Sequence, residues 1–130
     1  LRISDLMIES KKLPWVNATH TMDKVAHISS EYAHGGVFVR NVKNKFLGLI
    51  TDGDIRRALK FKERFFKMSA EEVMTINPAF VFSDERAIKA LETMENRPSQ
   101  ISVLPVMNRK MNCVGLIRLH DLIGRLDKPV

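Results

Sequence analysis

The chain has 130 residues, of which 45% are hydrophobic and 28% charged, and its formal net charge is +6 at pH 7. These proportions are typical of a folded globular chain and exclude a collagen-like, mucin-like or disordered protein. The single cysteine, Cys113, excludes an intrachain disulfide and favours a reducing, cytoplasmic compartment. Every apolar run is shorter than the roughly 20 residues of a membrane-spanning helix. Because the first residue is leucine rather than methionine, we expect a fragment of a longer protein.

The positive charge is concentrated in one stretch. Six basic residues and one acidic residue lie between Arg56 and Lys67, which accounts for +5 of the net +6. Such a stretch attracts phosphorylated small molecules, anionic membranes or nucleic acid, or it forms a solvated helix face. Charge is the only feature that favours nucleic acid, so the sequence predicts neither a nucleic-acid nor a membrane partner.

An internal repeat divides the chain. Three landmarks recur at a constant spacing of 67 positions, namely Met7 with Met74, Gly48 with Gly115, and Asp54 with Asp121. We therefore predict two copies of one unit, residues 1–67 and 68–130.

The first copy begins with a helical turn around Met7 and continues with an extended segment over 13–16. Apolar spacing then predicts a helix from Met22 to Tyr32. Two strands, 36–40 and 46–51, flank a polar turn, and a closing helix begins near Asp52.

The second copy follows the same order. Ser69 and Glu72 form a capping box, 79–82 is extended, and a helix over 84–96 has Ser83 as its predicted N-cap. Strands over 102–107 and 113–118 precede a closing helix near His120. The order β-α-β-β-α, repeated twice, predicts an α+β fold with α/β-type layers, whose copies pack sheet to sheet with pseudo-two-fold symmetry.

The junction of the last strand and helix in the first copy carries groups that suit a nucleotide. Thr51 offers a hydroxyl at the helix start, where free N–H groups favour an anion such as phosphate. Gly53 allows close approach of a ligand, and the carboxylate of Asp54 can accept two hydrogen bonds from a ribose diol. The alternative interpretation is that Thr51 or Asp52 simply caps the helix.

The sequence Gly48-Leu49-Ile50-Thr51-Asp52-Gly53-Asp54, together with the repeat, resembles a tandem pair of CBS domains, or Bateman module. Further stretches resemble the CBS pair that follows the sugar-isomerase (SIS) domain in KpsF/GutQ-type arabinose-5-phosphate isomerases: Leu13-Pro14, Ile55-Arg56-Arg57 and Leu119-His120-Asp121-Leu122. The resemblance implies a regulatory module of Kdo (lipopolysaccharide) biosynthesis, a homodimer, and an adenosine nucleotide (AMP or ATP) or CMP-Kdo as ligand. It places the segment Leu13-Pro14-Trp15 at the ligand cleft, with Arg56 and Arg57 close enough to draw in a phosphorylated ligand.

The second copy departs from this motif because Arg118 replaces the hydroxyl residue. Asp121 keeps the potential diol contact. Two interpretations remain open. The second site is either empty and plugged by the long side chain, or it holds a more anionic ligand through Arg118 and His120, since an arginine fork matches phosphate or carboxylate; the resemblance names CMP-Kdo for that role.

The remaining reactive residues favour packing over chemistry. His20, His27 and His34 lack the spacing and partners of a zinc site, so we predict no metal. Cys113 begins a predicted strand and suits the core, and Trp15 suits either stacking on a nucleobase or packing. No catalytic motif is present, so we expect no enzymatic activity in this chain; catalysis would belong to the isomerase domain that the resemblance implies. The alternative function is a ligand-free structural dimerisation module of a sugar-nucleotide metabolic enzyme, since such enzymes carry CBS pairs with a similar motif.

Overall fold

The computed structural model describes residues 1–97 and 101–126. In the first repeat the elements are α1 (Ile3–Leu6), β1 (Ile8–Glu9), β2 (Trp15–Asn17), α2 (Met22–Tyr32), β3 (Gly36–Arg40), β4 (Phe46–Thr51) and α3 (Asp52–Ala58). Short 3₁₀ segments cover Ser10–Lys12 and Leu59–Lys67. In the second repeat they are α4 (Ala70–Val73), β5 (Thr75–Ile76), β6 (Val81–Phe82), α5 (Ala87–Glu95), β7 (Val103–Met107), β8 (Cys113–Arg118) and α6 (Leu119–Leu126). The predicted α+β class and the β-α-β-β-α order of both copies are confirmed.

Two compact units divide the chain. The contiguous unit is Leu13–Pro78, and the composite unit combines Leu1–Lys12 with the described residues from Ala79 onward. The compact units therefore differ from the sequence repeats 1–67 and 68–130, because each repeat lends its first elements to the unit built mainly from the other repeat.

Each unit contains one four-stranded sheet of the same topology. In the contiguous unit the strand order is β2-β3-β4-β5, and in the composite unit it is β6-β7-β8-β1. The first pair in each sheet is parallel, while the other pairs are antiparallel. Each sheet thus gains its fourth strand, β5 or β1, from the borrowed elements.

A separate apolar core joins the helices to the sheet in each unit. The buried side chains of the contiguous unit are Val16, Met22, Val25, Val37, Val39, Ile50, Ala58, Phe65 and Ala70. Those of the composite unit are Ile3, Val81, Ala87, Ala90, Met94, Leu104, Val106, Ile117 and Leu122. Alternate residues of β3 and β7 supply core side chains, as expected for strands with one face against helices.

The borrowed elements, which we call entry segments (residues 1–9 and 68–76), also cap the main helix of each unit. The backbone N–H of Met22 donates to the carbonyl of Met68, and that of Ala87 donates to the carbonyl of Leu1, both at 2.9 Å. The predicted N-cap at Ser83 is therefore wrong. The residue before α5 is Arg86, and a carbonyl from a distant part of the chain replaces a side-chain cap.

The repeated glycines explain why the entry segments fit. A Cβ atom at Gly48 would lie 2.7 Å from the carbonyl oxygen of Thr75 and 2.8 Å from the sulfur of Met74. A Cβ atom at Gly115 would lie 2.6 Å from the carbonyl oxygen of Ile8 and 2.7 Å from the sulfur of Met7. The landmarks found in the sequence are thus contact partners, with the methionine of one repeat covering the glycine of the other.

Alanine at these glycines should destabilise the fold. We expect Gly48→Ala and Gly115→Ala each to lower the free energy of unfolding by about 1–3 kcal/mol, because backbone must move away from the new methyl group. Urea denaturation followed by circular dichroism measures the change.

Gly124→Ala is the matched control. Gly124 lies in α6, and a methyl group added there would have nothing within 4 Å, so alanine at this position should stabilise the chain by up to about 1 kcal/mol. Equal effects at all three glycines would contradict the packing explanation.

Candidate functional site

The junction of β4 and α3 forms a reciprocal capping box. The Thr51 hydroxyl accepts a hydrogen bond from the Asp54 backbone N–H at 3.2 Å, and the Asp54 carboxylate accepts one from the Thr51 N–H at 2.9 Å. Thr51 rather than Asp52 therefore caps this helix, and the two groups predicted to bind ligand are held together in one turn. The hydroxyl can still donate its proton, and the carboxylate retains lone pairs for a further donor.

Arg57 covers the carboxylate of Asp54. Its Nη2 donates to Oδ1 of Asp54 at 2.8 Å, while the side chain of Arg57 is 65% exposed and that of Asp54 only 12%. The guanidinium also lies 3.2 Å from the position of a Cβ at Gly53. The space above Gly53 is thus filled by the end of a long exposed side chain, which a ligand can displace at small cost.

The strand register places the Leu13-Pro14 segment at the same end of the sheet as Thr51. Trp15 is paired with Phe38, and Gly36 with Thr51. Counting back along the parallel pair, Leu13 stands level with Gly36 and therefore with Thr51, about 10 Å away across one intervening strand. The structure thus brings together the two segments that the sequence singled out in the first copy.

Trp15 packs within its own sheet. Its ring centroid lies 5.2 Å from that of Phe38 and 6.1 Å from that of Phe46, and the guanidinium of Arg40 lies 5.8 Å from the Trp15 ring. The residue is half-buried. These contacts supply a packing role for Trp15.

The basic stretch after Asp54 lies on the surface. Arg56, Arg57 and the four later basic side chains are exposed. Lys62 interrupts the 3₁₀ segment with a φ of 57°, and Phe61 and Phe66 are 49% and 62% exposed. Of these six basic side chains, Arg57 pairs with Asp54 and Arg64 lies over the ring of Phe61, with 5.3 Å between its guanidinium carbon and the ring centroid.

The equivalent junction of the composite unit is organised differently. The guanidinium of Arg118 donates to both carboxylate oxygens of Asp121, from Nε at 2.9 Å and from Nη2 at 2.7 Å. The backbone N–H of Arg118 adds a third bond at 3.2 Å. This bidentate contact raises the pKa of Arg118 further above its ordinary value. His120 is exposed and takes no part in the hydrogen bonds between Arg118 and Asp121.

Two hydroxyl groups that contact the carboxylates of the β4–α3 junction were not predicted from the sequence. The Thr75 hydroxyl donates to Oδ2 of Asp54 at 3.4 Å, and the Ser29 hydroxyl donates to Oδ1 of Asp52 at 3.3 Å. Thr75 comes from the entry strand β5, and Ser29 from α2. The only sequence signal for Thr75 is its position next to the repeated Met74.

The family model for the CBS domain matches residues 3–61 and 70–128. The chain belongs to this family. It is a tandem pair of CBS domains, and the resemblance found in the sequence is confirmed. Within the pair, the motif glycines are Gly48 and Gly115, whose role in seating the entry strands was described above.

The CBS pair is similar to one part of known isomerases. It is 33% identical over 123 residues to the arabinose 5-phosphate isomerase KdsD of Francisella tularensis, and 28% identical over 120 residues to the arabinose 5-phosphate isomerase KpsF of Escherichia coli. These matches cover 95% and 92% of the chain but only 37% and 36% of the relatives. The chain thus spans little more than a third of the length of these proteins.

Solved structures share the fold. A CBS domain-containing protein from Bacillus anthracis has a TM-score of 0.83 at 22% identity, covering 100% of this chain and 95% of that one. CBSX2 in complex with AMP has a TM-score of 0.81 at 16% identity, covering 96% and 95%. The CBS domain pair of protein MJ0100, in complex with 5′-methylthioadenosine and S-adenosyl-L-methionine, has a TM-score of 0.80 at 24% identity, covering 97% and 94%.

The other reactive residues have local partners. The Cys113 thiol is half-buried, and burial raises its pKa to about 11, so it is protonated at neutral pH. His27 pairs with Glu31 at 2.9 Å. Across residues 1–97 and 101–126 no cluster of His, Cys, Asp or Glu could hold a metal ion. In that same part of the chain, no helix has the length and apolar character needed to cross a bilayer.

His20 should make the contiguous unit sensitive to acid. Its Nδ1 accepts a hydrogen bond from the Asn17 N–H at 3.1 Å, and its pKa is lowered, first by burial and then by Lys24 and Arg40. Because His20 binds a proton more readily in the unfolded chain than in the folded one, protonation favours unfolding. The contribution of neutral His20 to the free energy of unfolding is complete above the ordinary pKa of 6.5, and it is lost as the pH falls through the lower pKa of the folded state.

We expect His20→Asn, which keeps an acceptor for Asn17, to flatten the loss of unfolding free energy between about pH 7.5 and about pH 5.5. The matched control is His27→Asn, on the exposed face of α2, which should not flatten that loss, because protonation strengthens rather than weakens the contact of His27 with Glu31. Urea midpoints at the two pH values decide; a His20→Asn profile identical to that of the original chain would contradict the assignment.

Proposed function

We propose that this CBS pair is a regulatory module that binds an adenosine nucleotide at the Thr51–Asp54 junction of the contiguous unit. The observation that carries the proposal is the reciprocal capping box, which holds the Thr51 hydroxyl and the Asp54 carboxylate in one turn. The hydroxyl accepts the Asp54 N–H at 3.2 Å, and the carboxylate accepts the Thr51 N–H at 2.9 Å. In the proposed complex the Thr51 hydroxyl donates a hydrogen bond to a phosphate oxygen, and the Asp54 carboxylate accepts hydrogen bonds from the ribose diol. The AMP complex of CBSX2 and the adenosine ligands of MJ0100 support this class of ligand.

The neighbouring groups extend the proposed site. The Leu13-Pro14-Trp15 segment borders it from β2, Gly53 allows close approach, and Asp52 is anchored by Ser29. Arg57 gives up its exposed contact with Asp54 when the diol arrives and then lies free to approach the phosphate, with Arg56 beside it. The Arg57 guanidinium thereby exchanges the Asp54 carboxylate for the ligand's phosphate as its partner, which favours anionic nucleotides over nucleosides.

The proposed consequence of binding is control of an attached sugar-phosphate isomerase domain. Its basis is the similarity to the arabinose 5-phosphate isomerases, of which this chain spans little more than a third. A ligand that binds one arrangement of the pair more tightly shifts the population toward it, and the attached domain responds to that shift. CMP-Kdo, a sugar nucleotide of the same pathway, is the rival ligand, since it carries both phosphate and carboxylate.

Asp54→Asn tests the site. Asparagine can still accept the Thr51 N–H, so both halves of the capping box survive, whereas Asp54→Ala would also remove that hydrogen bond and lower the melting temperature of the ligand-free chain. Losing a charged hydrogen bond costs about 1.5–3 kcal/mol, so AMP affinity should fall about tenfold or more.

Isothermal titration with AMP, ATP, CMP and CMP-Kdo measures this effect and ranks the ligands. Asp84→Asn is the matched control, because Asp84 forms a similar pair with Arg109 on the composite unit. It should bind AMP as the original chain does. If none of the four ligands binds at millimolar concentration, the nucleotide-sensing function is wrong.

The second candidate function is a structural dimerisation module. Ile88 and Ile123, on α5 and α6 of the composite unit, are 46% and 51% exposed, and the second motif lacks its hydroxyl. A stable dimer in sedimentation experiments, combined with no response to any of the four ligands, would favour this function over nucleotide sensing.

A further inference from the structure

The two equivalent junctions hold their carboxylates in opposite ways. Asp54 is approached by Arg57 from the helix side, three residues later in the chain. Asp121 is approached by Arg118 from the strand side, three residues earlier, while the position equivalent to Arg57 is Gly124. The second repeat has thus lost the displaceable arginine and placed another at the hydroxyl position.

The Arg118–Asp121 pair is the more closed of the two. Arg57 makes one contact through an end that is 65% exposed. Arg118 engages both carboxylate oxygens at 2.7 and 2.9 Å, with side chains only 25% and 16% exposed. The two carboxylates are similarly buried, at 12% and 16% exposed, so the difference lies in the arginine. Arg118 holds a charge-assisted bidentate pair of fixed geometry from a mostly buried side chain, whereas Arg57 makes one contact from an exposed one. A diol that displaced Arg118 would have to break all of these contacts.

The composite unit also lacks the two hydroxyls that surround Asp54. Arg118 stands in place of Thr51. In the strand register, Ile8 of β1 stands in place of Thr75 of β5, since Ile8 pairs with Leu116 as Thr75 pairs with Leu49. These two positions therefore supply neither a hydroxyl for a phosphate nor a second partner for the carboxylate, and Arg118 is the side chain that satisfies Asp121 instead.

We propose that Arg118 closes the composite-unit junction to nucleotides, so that each chain binds one nucleotide, at the contiguous unit. Arg118 is the residue that determines this one-site stoichiometry. The inference rests on the proposed function for the identity of the occupied site, but the closure of the other junction can be tested without it. The sequence left two interpretations of Arg118 open, and this proposal adopts the first, in which the long side chain plugs an empty site.

The test removes the closed pair and asks whether a site appears. Arg118→Thr restores the hydroxyl, and it is made both alone and in the Asp54→Asn background, which weakens the first site. Arg109→Thr is the matched control, because it breaks another bidentate arginine–aspartate pair, with Asp84, in the same unit. AMP is the probe, isothermal titration gives affinity and stoichiometry, and circular dichroism verifies folding.

We expect one AMP per original chain, two per Arg118→Thr chain, and at least tenfold tighter AMP binding by Asp54→Asn/Arg118→Thr than by Asp54→Asn. Arg109→Thr in the same background should bind no better than Asp54→Asn. Two AMP molecules per original chain would overturn the proposal, whether or not the variants fold. So would a folded double variant that binds no better than Asp54→Asn.

These outcomes separate the two proposals. If the original chain binds no AMP but the double variant does, the closure by Arg118 stands and the nucleotide site at Thr51–Asp54 is wrong. If the original chain binds one AMP through Asp54 and the double variant gains nothing, the proposed function stands and the closure is wrong. If Arg118→Thr does not fold, Arg118→Gln, which keeps hydrogen bonding but removes the charge, takes its place with the same expectations.

Discussion

The sulfur of Met74 lies 2.8 Å from the point where a side chain at position 48 would begin, and the sulfur of Met7 lies 2.7 Å from the corresponding point at position 115. Each contact seats an entry strand, β5 or β1, against the central antiparallel pair of a sheet. The same entry segments then cap α2 and α5 through the carbonyls of Met68 and Leu1. Sheet closure, helix capping and the interleaving of the two repeats therefore all depend on two glycines without room for a methyl group.

The same packing of β5 against β4 also positions a residue of the candidate site. Because β5 lies directly beside β4, its Thr75 hydroxyl reaches the carboxylate of Asp54. The same geometry in the composite unit delivers Ile8 instead. Two junctions with one backbone design thus acquire different chemistry through a few side chains: a hydroxyl and an exposed arginine around Asp54, and a closed ion pair around Asp121. One backbone scaffold thus occurs twice, and in our proposal the side chains at these few positions determine which copy accepts a ligand.

The sequence predicts the residues of β3, β4 and β8 to the position, because apolar stretches there end at polar turns. The two turns are built alike: the Asn41 side chain accepts N–H groups of Lys43 and Lys45, and Asn108 repeats this pattern. The entry strands could not be predicted in the same way, because two-residue strands have no periodicity and their partners lie far away along the chain. For that reason the sequence does not predict Thr75 as a partner of Asp54, nor the two carbonyl caps. The N-cap role predicted for Ser83 is filled by the carbonyl of the distant Leu1.

The central claim is that the two junctions share a scaffold while only the one at Thr51–Asp54 is open. Nuclear magnetic resonance of the ¹⁵N-labelled chain during an AMP titration tests it most directly, because each backbone amide reports separately. The account predicts saturable shifts at the amides of Thr51, Asp54 and Thr75, with the amides of Arg118 and Asp121 unchanged. Shifts of equal size and concentration dependence at both junctions, or at Arg118 and Asp121 alone, would contradict it.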